Sequence, residues 1–313
     1  MTELSVLEVL ASLRAAGEQT RLRILALLTF GELTVTELTT ILRQSQPRVS
    51  RHLKLLCEAG LLERFREGTW IFYRLADSGE AGRLALQIVN MLPRQDQLLL
   101  TDQEQLSAVK EERHAVAATY FKENAERWDK IRSLYVPEGQ VEAALLSLTE
   151  GRDIDDMLDV GTGTGRMLEV FSPRITRGIG VDLSHEMLAI ARDNLERKGL
   201  RNCQVRHGDM YDLALSSETM DLVLFHQVLH FADNPLSAIR EAGRLLKAGG
   251  RVIVVDFAPH NLEFLRDEHA HRRLGFGAKE ISRWCEQAGL VPQPVIQMDG
   301  KELVVMIWAA DKP

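Results

Sequence analysis

An alternation of apolar runs and amphipathic helical patterns, from about residue 153 to the last residue, constrains the fold most. The apolar runs are DIDDMLDV, RGIGVDLS, CQVRHGDM, DLVLFHQVLHF and RVIVVDF, and helical patterns such as HEMLAIARDNLERKG separate them. Runs without polar alternation are typical of strands buried on both faces of a parallel sheet. The alternation predicts a doubly wound α/β fold. PVIQ and ELVVMIWAA, on either side of Asp299-Gly300, predict a closing antiparallel hairpin.

The first strand runs into a glycine turn, and residues 159–165 read D-V-G-T-G-T-G. Arg166 occupies the position where a dinucleotide-binding fingerprint starting at Gly161 would need glycine, so that fingerprint is absent. The spacing of a P-loop is absent as well. The turn therefore needs a different ligand from a dinucleotide or a nucleoside triphosphate.

The turn and the ordered segments resemble class I S-adenosylmethionine-dependent methyltransferases over residues 120–310. The resemblance implies an α/β Rossmann-like domain that binds S-adenosylmethionine or S-adenosylhomocysteine. It assigns ribose binding to Asp182 and the adenine amino group to Asp209, both at carboxyl ends of parallel strands. The remaining residues that it places around the ligand are Asp159, Gly161, Thr162, Gly163, Gly165, Leu183, Met187, Met210 and His226.

A methyl acceptor is harder to infer from the sequence. The segment FHQVLHF lacks the Asn/Asp-Pro-Pro-aromatic tetrad of enzymes that methylate nucleic-acid amino groups, and is similar to small-molecule methyltransferases of the ubiquinone/menaquinone type. His226 or His230 is a candidate general base, since imidazole titrates near neutrality. The favoured alternative is that His226 touches the cofactor and His230 packs. Three scattered cysteines disfavour arsenite methylation.

The segment Asp267-Glu268-His269-Ala270-His271 has the composition of a metal site. On a helix, however, His269 and His271 would point roughly 200° apart, because each residue turns about 100°. We therefore predict no metal here; a substrate-mouth role, an inter-domain role and plain surface stay open.

The first 76 residues predict a different, α+β domain. VTELTTIL has Thr34 as N-cap and Glu37 at capping-box spacing. PRVSRHLKLLCEAG follows, with Pro47 in its first turn, and LLERFREGTWIFYRLA predicts a β-hairpin about Glu67-Gly68. Short helices, a recognition-type helix and a hairpin make a winged helix-turn-helix.

Residues 43–74 contain seven Lys/Arg and three Asp/Glu, although the whole chain has a formal charge of −7. Such a patch suits DNA phosphates, and an ordinary solvated face is the alternative. The string SQPRVSRHLKLLCEAGLLERFREGTWIFYRL resembles the ArsR/SmtB repressors, which implies a homodimer on a palindromic site in double-stranded DNA. The implied DNA-contacting residues are Gln46, Arg48, Ser50, Arg51, His52, Arg64 and Arg66.

One position departs from the metal-sensing members of this family. Where they often place cysteines, the helix here has Thr34 and Thr36, and hydroxyls are poor ligands for soft metals. Sensing of arsenite or zinc at this helix is therefore disfavoured.

We predict three parts: a winged helix over 1–92, a helical connector over 93–150 and a methyltransferase-like domain over 151–313. Tyr120 and Trp128 in the connector either form a lid over the ligand or simply pack. The unpaired cysteines, the lack of a long apolar run and the acidic N-terminus predict a cytoplasmic protein without a membrane span or secretory signal.

Two functions remain. The first is a transcriptional regulator whose second domain senses S-adenosylmethionine or S-adenosylhomocysteine; the combination resembles regulators of methionine-cycle genes that respond to S-adenosylhomocysteine. The second is an enzyme that methylates a small molecule and carries an accessory winged helix. The regulator is favoured, and the sequence leaves open which nucleoside is the effector.

Overall fold

The computed structural model describes residues 5–67, 69–76, 79–124, 138–300 and 302–313. The chain divides into two compact units, Met1–Ala115 and Val116–Pro313. The boundary falls inside helix α6 (Gln97–Asn124), which belongs to the segment predicted as the connector.

The first unit begins with four short helices, and capping explains where two of them start. Ser5 and Glu8 form a capping box at the start of the first helix. Thr34 and Glu37 form another, in which the Thr34 N–H donates to Glu37 Oε2 at 2.7 Å, and this confirms the predicted start. The four helices are α1 (Val6–Ala16), α2 (Gln19–Leu27), α3 (Val35–Leu42) and α4 (Gln46–Glu58).

A three-stranded antiparallel sheet forms the wing. Its strands are β1 (Leu33–Thr34), β2 (Leu62–Glu67) and β3 (Trp70–Leu75), in the order β1-β3-β2. Glu67 pairs with Trp70, so the hairpin reverses between these two residues, one position later than predicted; Gly68 lies outside the described residues. Helix α5 (Gly79–Asn90) follows.

The core of this unit consists of the apolar faces of its helices and the buried side of the wing. Its fully buried side chains include Ile24, Leu38, Leu53, Leu56 and Phe72. The winged helix-turn-helix that the sequence predicts is therefore confirmed.

The second unit is a twisted sheet with helices between its strands. Its first elements are α7 (Glu138–Leu148), β4 (Ile154–Val160), α8 (Arg166–Phe171), β5 (Ile175–Asp182), α9 (His185–Arg197), β6 (Cys203–His207) and β7 (Met220–His226). The remaining ones are α10 (Pro235–Leu245), β8 (Leu246–Phe257), α11 (Phe264–His269), α12 (Ala278–Gln287), β9 (Val291–Pro292), β10 (Ile296–Asp299) and β11 (Val304–Asp311).

The main path of this sheet runs β10-β11-β8-β7-β4-β5-β6, with β9 beside β11. Strands β4 to β8 are parallel, whereas β11 is antiparallel to β8 and to β10. Asp299 pairs with Val304, which confirms the closing hairpin. The predicted Rossmann-like α/β domain is confirmed.

Two boundaries differ from the predictions. Helix α10 ends at Leu245, not at Gly249-Gly250, because Leu246 is already extended and begins β8. Strand β6 ends at His207, so Asp209 lies in the loop beyond it rather than at the strand end. In the parts of the chain that the structure describes, every helix is too short or too polar to traverse a lipid bilayer.

Candidate functional site

The carboxyl ends of the five parallel strands define one edge of the sheet. Strand β4 ends at Val160, β5 at Asp182, β6 at His207, β7 at His226 and β8 at Phe257. Open α/β sheets bind their ligands at this edge, beyond the strand ends. The structure therefore brings together on one edge the loops that carry the cofactor residues predicted between 159 and 226.

The glycine turn has the backbone conformation that its sequence requires. Gly161, Gly163 and Gly165 have φ angles of 70°, 52° and 84°, a region that side chains disfavour. A Cβ on Gly161 would also lie 2.3 Å from Val228 Cγ2. The close approach of Val228 is a second reason why this position requires glycine. The sequence did not indicate this contact.

Asp182 connects this turn to the end of β5. Its Oδ2 accepts a hydrogen bond from the Gly163 N–H at 2.8 Å, and its Oδ1 accepts one from the Ser184 N–H at 2.9 Å. Burial raises the pKa of this carboxyl, and the backbone N–H donors oppose that shift. A carboxylate oxygen has a further lone pair, so both oxygens can still accept a hydroxyl.

Two other predicted residues of the turn interact with each other. The Thr162 hydroxyl donates to Asp159 Oδ2 at 2.6 Å, and both side chains are buried. The Thr162 hydroxyl proton is thus committed to a protein acceptor. Contact of Asp159 with an ammonium group stays a prediction.

The apolar residues predicted around the adenine differ in exposure. Leu183 is 47% exposed. Met210 is half-buried against the core, whereas Met187 is 1% exposed. Leu183 therefore offers an accessible apolar surface, while Met187 packs underneath.

The loop after β6 holds Asp209 by its own backbone. Asp209 Oδ1 accepts a hydrogen bond from the Tyr211 N–H at 3.0 Å. The Tyr211 hydroxyl oxygen in turn accepts from the Asp233 N–H at 2.7 Å. Sequence reasoning missed Tyr211, although a tyrosine directly after Asp209-Met210 was a readable signal.

His230 is buried rather than open, as the favoured alternative expected. The His230 ring nitrogen Nδ1 lies 2.8 Å from Asp256 Oδ1. The backbone N–H of His230 donates to Asp256 Oδ2 at 3.2 Å. Its ring stacks on His271 at a centroid distance of 4.0 Å. The sequence analysis did not single out Asp256. It could have done so, because Asp256 is the one acidic residue of the apolar run RVIVVDF and lies near the end of its strand, as Asp182 does.

The histidines of the predicted non-metal segment do not share a helix. Helix α11 ends at His269, and Ala270 has a φ of 55°, so the chain turns before His271. Two ring nitrogens, His271 Nδ1 and His260 Nε2, have no hydrogen-bond partner among the described residues. His271 is therefore an interior residue, neither a surface residue nor the next position of a helix.

On the first unit, helix α4 turns its polar side outward. The candidate DNA-contacting residues on α4 and β2 that are exposed are Gln46, Arg48, Ser50, Arg51, Arg64 and Arg66. His52 differs, because it is half-buried and its Nδ1 lies 3.5 Å from Glu18 Oε2. Burial lowers the pKa of His52. Its surroundings favour packing against the start of α2.

The predicted lid residues cannot be placed. Trp128 and the side chain of Tyr120 lie outside the described residues.

The first unit has a winged helix-turn-helix fold, and the second has the Rossmann-like fold of class I methyltransferases. Residues 18–64 match the family model described as bacterial regulatory protein, arsR family, and residues 158–254 match the methyltransferase domain model. The chain therefore joins an ArsR-family helix-turn-helix domain to a methyltransferase domain. A domain of this class supports binding of S-adenosylmethionine or S-adenosylhomocysteine.

Two curated relatives each match less than half of this chain. The uncharacterized methyltransferase YcgJ of Bacillus subtilis is 30% identical over 146 residues, which are 46% of this chain and 56% of that protein. The arsenical resistance operon repressor of Escherichia coli is 52% identical over 61 residues, 19% of this chain and 52% of that repressor. The chain thus spans little more than half the length of these relatives.

Solved structures agree on the fold of the second unit. The crystal structure of YcgJ from Bacillus subtilis superposes with a TM-score of 0.50 at 18% identity, covering 56% of this chain and 99% of that one.

Proposed function

We propose that this protein is a DNA-binding transcriptional regulator whose methyltransferase domain binds S-adenosylmethionine or S-adenosylhomocysteine as an effector. The observation that supports it is that one chain has both exposed polar and basic side chains on α4 and an Asp182 carboxylate hydrogen-bonded to the glycine turn. A regulator of this kind acts on chromosomal DNA in the cytoplasm.

The DNA-binding half of the proposal rests on chemistry and exposure. Gln46, Arg48 and Arg51 lie on the exposed side of α4, and glutamine and arginine make bidentate hydrogen bonds to adenine and guanine edges. Arg64 and Arg66 on the wing suit the phosphate backbone. The buried residues Val49, Leu53 and Leu56 hold the opposite side of α4 in the core.

A homodimer on a palindromic operator fits this unit. Helices α1 and α5 pack together and expose apolar side chains, namely Val6 at 83% and Leu7 at 78% on α1 and Leu86 at 48% on α5, and Met91 directly after α5 is 73% exposed. An exposed patch of this kind marks an interaction surface, and a second copy of the chain would cover it symmetrically. The molar mass of the full-length protein by sedimentation equilibrium, for wild type and Leu7→Glu, tests this part.

Metal sensing at α3 finds no support in the local contacts. The Thr34 hydroxyl donates to Glu37 Oε2 at 3.0 Å and accepts from the Glu37 N–H at 3.3 Å, so the capping box uses its proton and one of its two lone pairs. We assign the effector to the second unit because of the hydrogen-bonded carboxylates at its sheet edge.

The residues at the sheet edge fit an adenosyl ligand. Asp182 would bind the ribose hydroxyls, Asp209 the adenine amino group, and the exposed side chain of Leu183 would cover the ring. S-adenosylmethionine supplies a sulfonium with a transferable methyl group, and S-adenosylhomocysteine is the neutral thioether. The glycine backbone at 161–165 would receive the amino-acid end of either.

Regulation requires that the ligand distinguish two conformations. A hundredfold change in DNA affinity corresponds to about 2.7 kcal/mol of coupling between the two sites. Calorimetry of the full-length protein with each nucleoside tests the binding half: a dissociation constant in the micromolar range or below is expected for at least one. The absence of binding by both would remove the proposal.

A second candidate function is methyl transfer to a small molecule. The His230–Asp256 contact favours it, because a carboxylate that holds Nδ1 leaves Nε2 as the nitrogen that can take a proton. Phe231 and His271 cover the ring, which limits the access of an acceptor. Transfer of label from S-adenosylmethionine to a cell metabolite extract, lost in His230→Gln and in His226→Gln, would establish the enzyme.

A further inference from the structure

Tyr211 is half-buried and lies between two parts of the second unit that are distant in sequence. Its N–H donates to Asp209 Oδ1 at 3.0 Å. Its hydroxyl oxygen accepts from the N–H of Asp233 at 2.7 Å and of Asn234 at 3.1 Å. One residue thus contacts a carboxylate through its backbone and a remote turn through its side chain.

The remote turn is itself rigidly held. Asn234 caps α10, where its Oδ1 accepts from the Ser237 N–H at 3.1 Å. Asp233 is 4% exposed, and its Oδ1 lies 3.4 Å from Arg272 Nε. The Tyr211 ring is therefore anchored at its hydroxyl end to a fixed helix start.

The loop has a second attachment farther along. The Leu213 N–H donates to Glu241 Oε1 at 2.9 Å, and Leu213 O accepts from Arg244 Nη2 at 3.1 Å. These bonds keep the loop attached to α10 when the Tyr211 hydroxyl is removed. Loss of that hydroxyl should hence loosen the loop close to Asp209 without detaching the whole segment.

We propose that Tyr211 is a positioning residue that orients the Asp209 carboxylate and so makes the site select a 6-aminopurine over a 6-oxopurine. The inference rests on the proposed nucleoside binding. With Oδ1 held by the Tyr211 N–H, Oδ2 would be the oxygen that accepts from an amino group. A 6-oxo group would place a second acceptor against this oxygen, and two acceptors repel.

The test compares S-adenosylhomocysteine with S-inosylhomocysteine, which has an oxo group in place of the 6-amino group and a hydrogen on N1. Calorimetry uses the full-length wild type, Tyr211→Phe and Asp209→Ala. The wild type should bind the adenosyl compound about tenfold or more tightly, the value of a hydrogen bond to a charged group. Asp209→Ala should abolish the preference for the adenosyl compound, which gives the largest loss that the experiment can show. Tyr211→Phe should lose most of the same preference.

A matched control is Trp308→Phe, which also removes a buried hydrogen bond, from Nε1 to Ala278 O at 3.0 Å, in the same unit. It should keep the wild-type preference, and thermal unfolding should show it to be less stable than Tyr211→Phe, because the smaller ring also leaves a cavity. A wild-type preference in Tyr211→Phe would overturn the inference, as would equal weakening of both ligands. If the wild type binds neither ligand, the proposed function and this inference are both wrong. If the wild type binds S-adenosylhomocysteine, the comparison with Tyr211→Phe tests the role of Tyr211 alone.

Discussion

The Asp182 carboxylate accepts a 2.8 Å hydrogen bond from the backbone N–H of Gly163, which joins the end of β5 to the turn after β4. The turn and the carboxylate come from different strands, 19 residues apart in sequence. This bond holds the carboxylate against the glycine backbone, so the proposed ribose acceptor and the proposed surface for the amino-acid end would lie side by side.

Asp182→Asn should weaken binding of S-adenosylhomocysteine about tenfold to a hundredfold, because a charged acceptor of hydrogen bonds is lost. Calorimetry of the full-length protein measures this. Asp193→Asn on the exposed side of α9 is the matched control and should bind as the wild type does. An unchanged dissociation constant for Asp182→Asn would contradict the assignment of this residue.

Gly161→Ala should destabilise the protein in two separable ways. The positive φ costs about 1–2 kcal/mol, and overlap with Val228 adds about 1–3 kcal/mol. Gly199 has a φ of 67° with open space around its Cβ position, so Gly199→Ala should show the first cost alone. Urea unfolding measures both, and Val228→Ala should recover part of the loss in Gly161→Ala only. Equal losses for the two glycines would contradict the role of Val228.

Replacing Arg48 and Arg51 by alanine should weaken DNA binding without affecting the nucleoside. Each arginine that reads a base should cost about 1–3 kcal/mol, and each arginine that binds a phosphate should, when removed, lower the salt slope of binding by about one. Fluorescence anisotropy with DNA selected by the wild-type protein measures both quantities. Arg201→Ala, an exposed arginine of the second unit, serves as control. Unaltered DNA binding in the double variant would exclude α4 as the recognition helix.

Acidification should destabilise the second unit through its buried imidazoles. Burial lowers the pKa of His260 to about 4, and neighbouring His230 and Arg266 add to the shift. Burial also lowers the pKa of His271. Since an unfolded histidine titrates near 6.5, this stability is complete above that pH and decreases as the pH falls toward 4.

Between pH 7 and pH 5, the wild type should therefore lose about 2 kcal/mol more unfolding free energy than His260→Gln. Urea unfolding at the two pH values gives the comparison. The exposed His185 provides the control His185→Gln, which should lose as much as the wild type. A His260→Gln variant with the wild-type pH dependence would refute the expectation.

The sequence predicted those features that depend on local pattern. Thr34 and Glu37 have the spacing of a capping box, and Asp182 ends an apolar run, so both could be placed before any contact was known. The apolar strand runs likewise determined the order of strands and helices, because burial on both faces leaves a signal in composition.

Features that depend on contacts between distant segments could not be read in this way. The contacts of Val228 with Gly161, of Tyr211 with Asp233 and of Asp256 with His230 depend on the folded sheet. The helix ending at Leu245 was predicted too long because LKAGG suits a helix end as well as a strand start.

The central claim is that nucleoside occupancy of the second unit changes the DNA affinity of the first. The most direct test is the affinity of the full-length protein for its selected DNA, with and without a nucleoside at a concentration that calorimetry shows to be saturating. We predict a change of at least about tenfold, or 1.4 kcal/mol, with one of the two nucleosides, and no change in Asp182→Asn. Superimposable DNA-binding curves with and without both saturating ligands would contradict this claim.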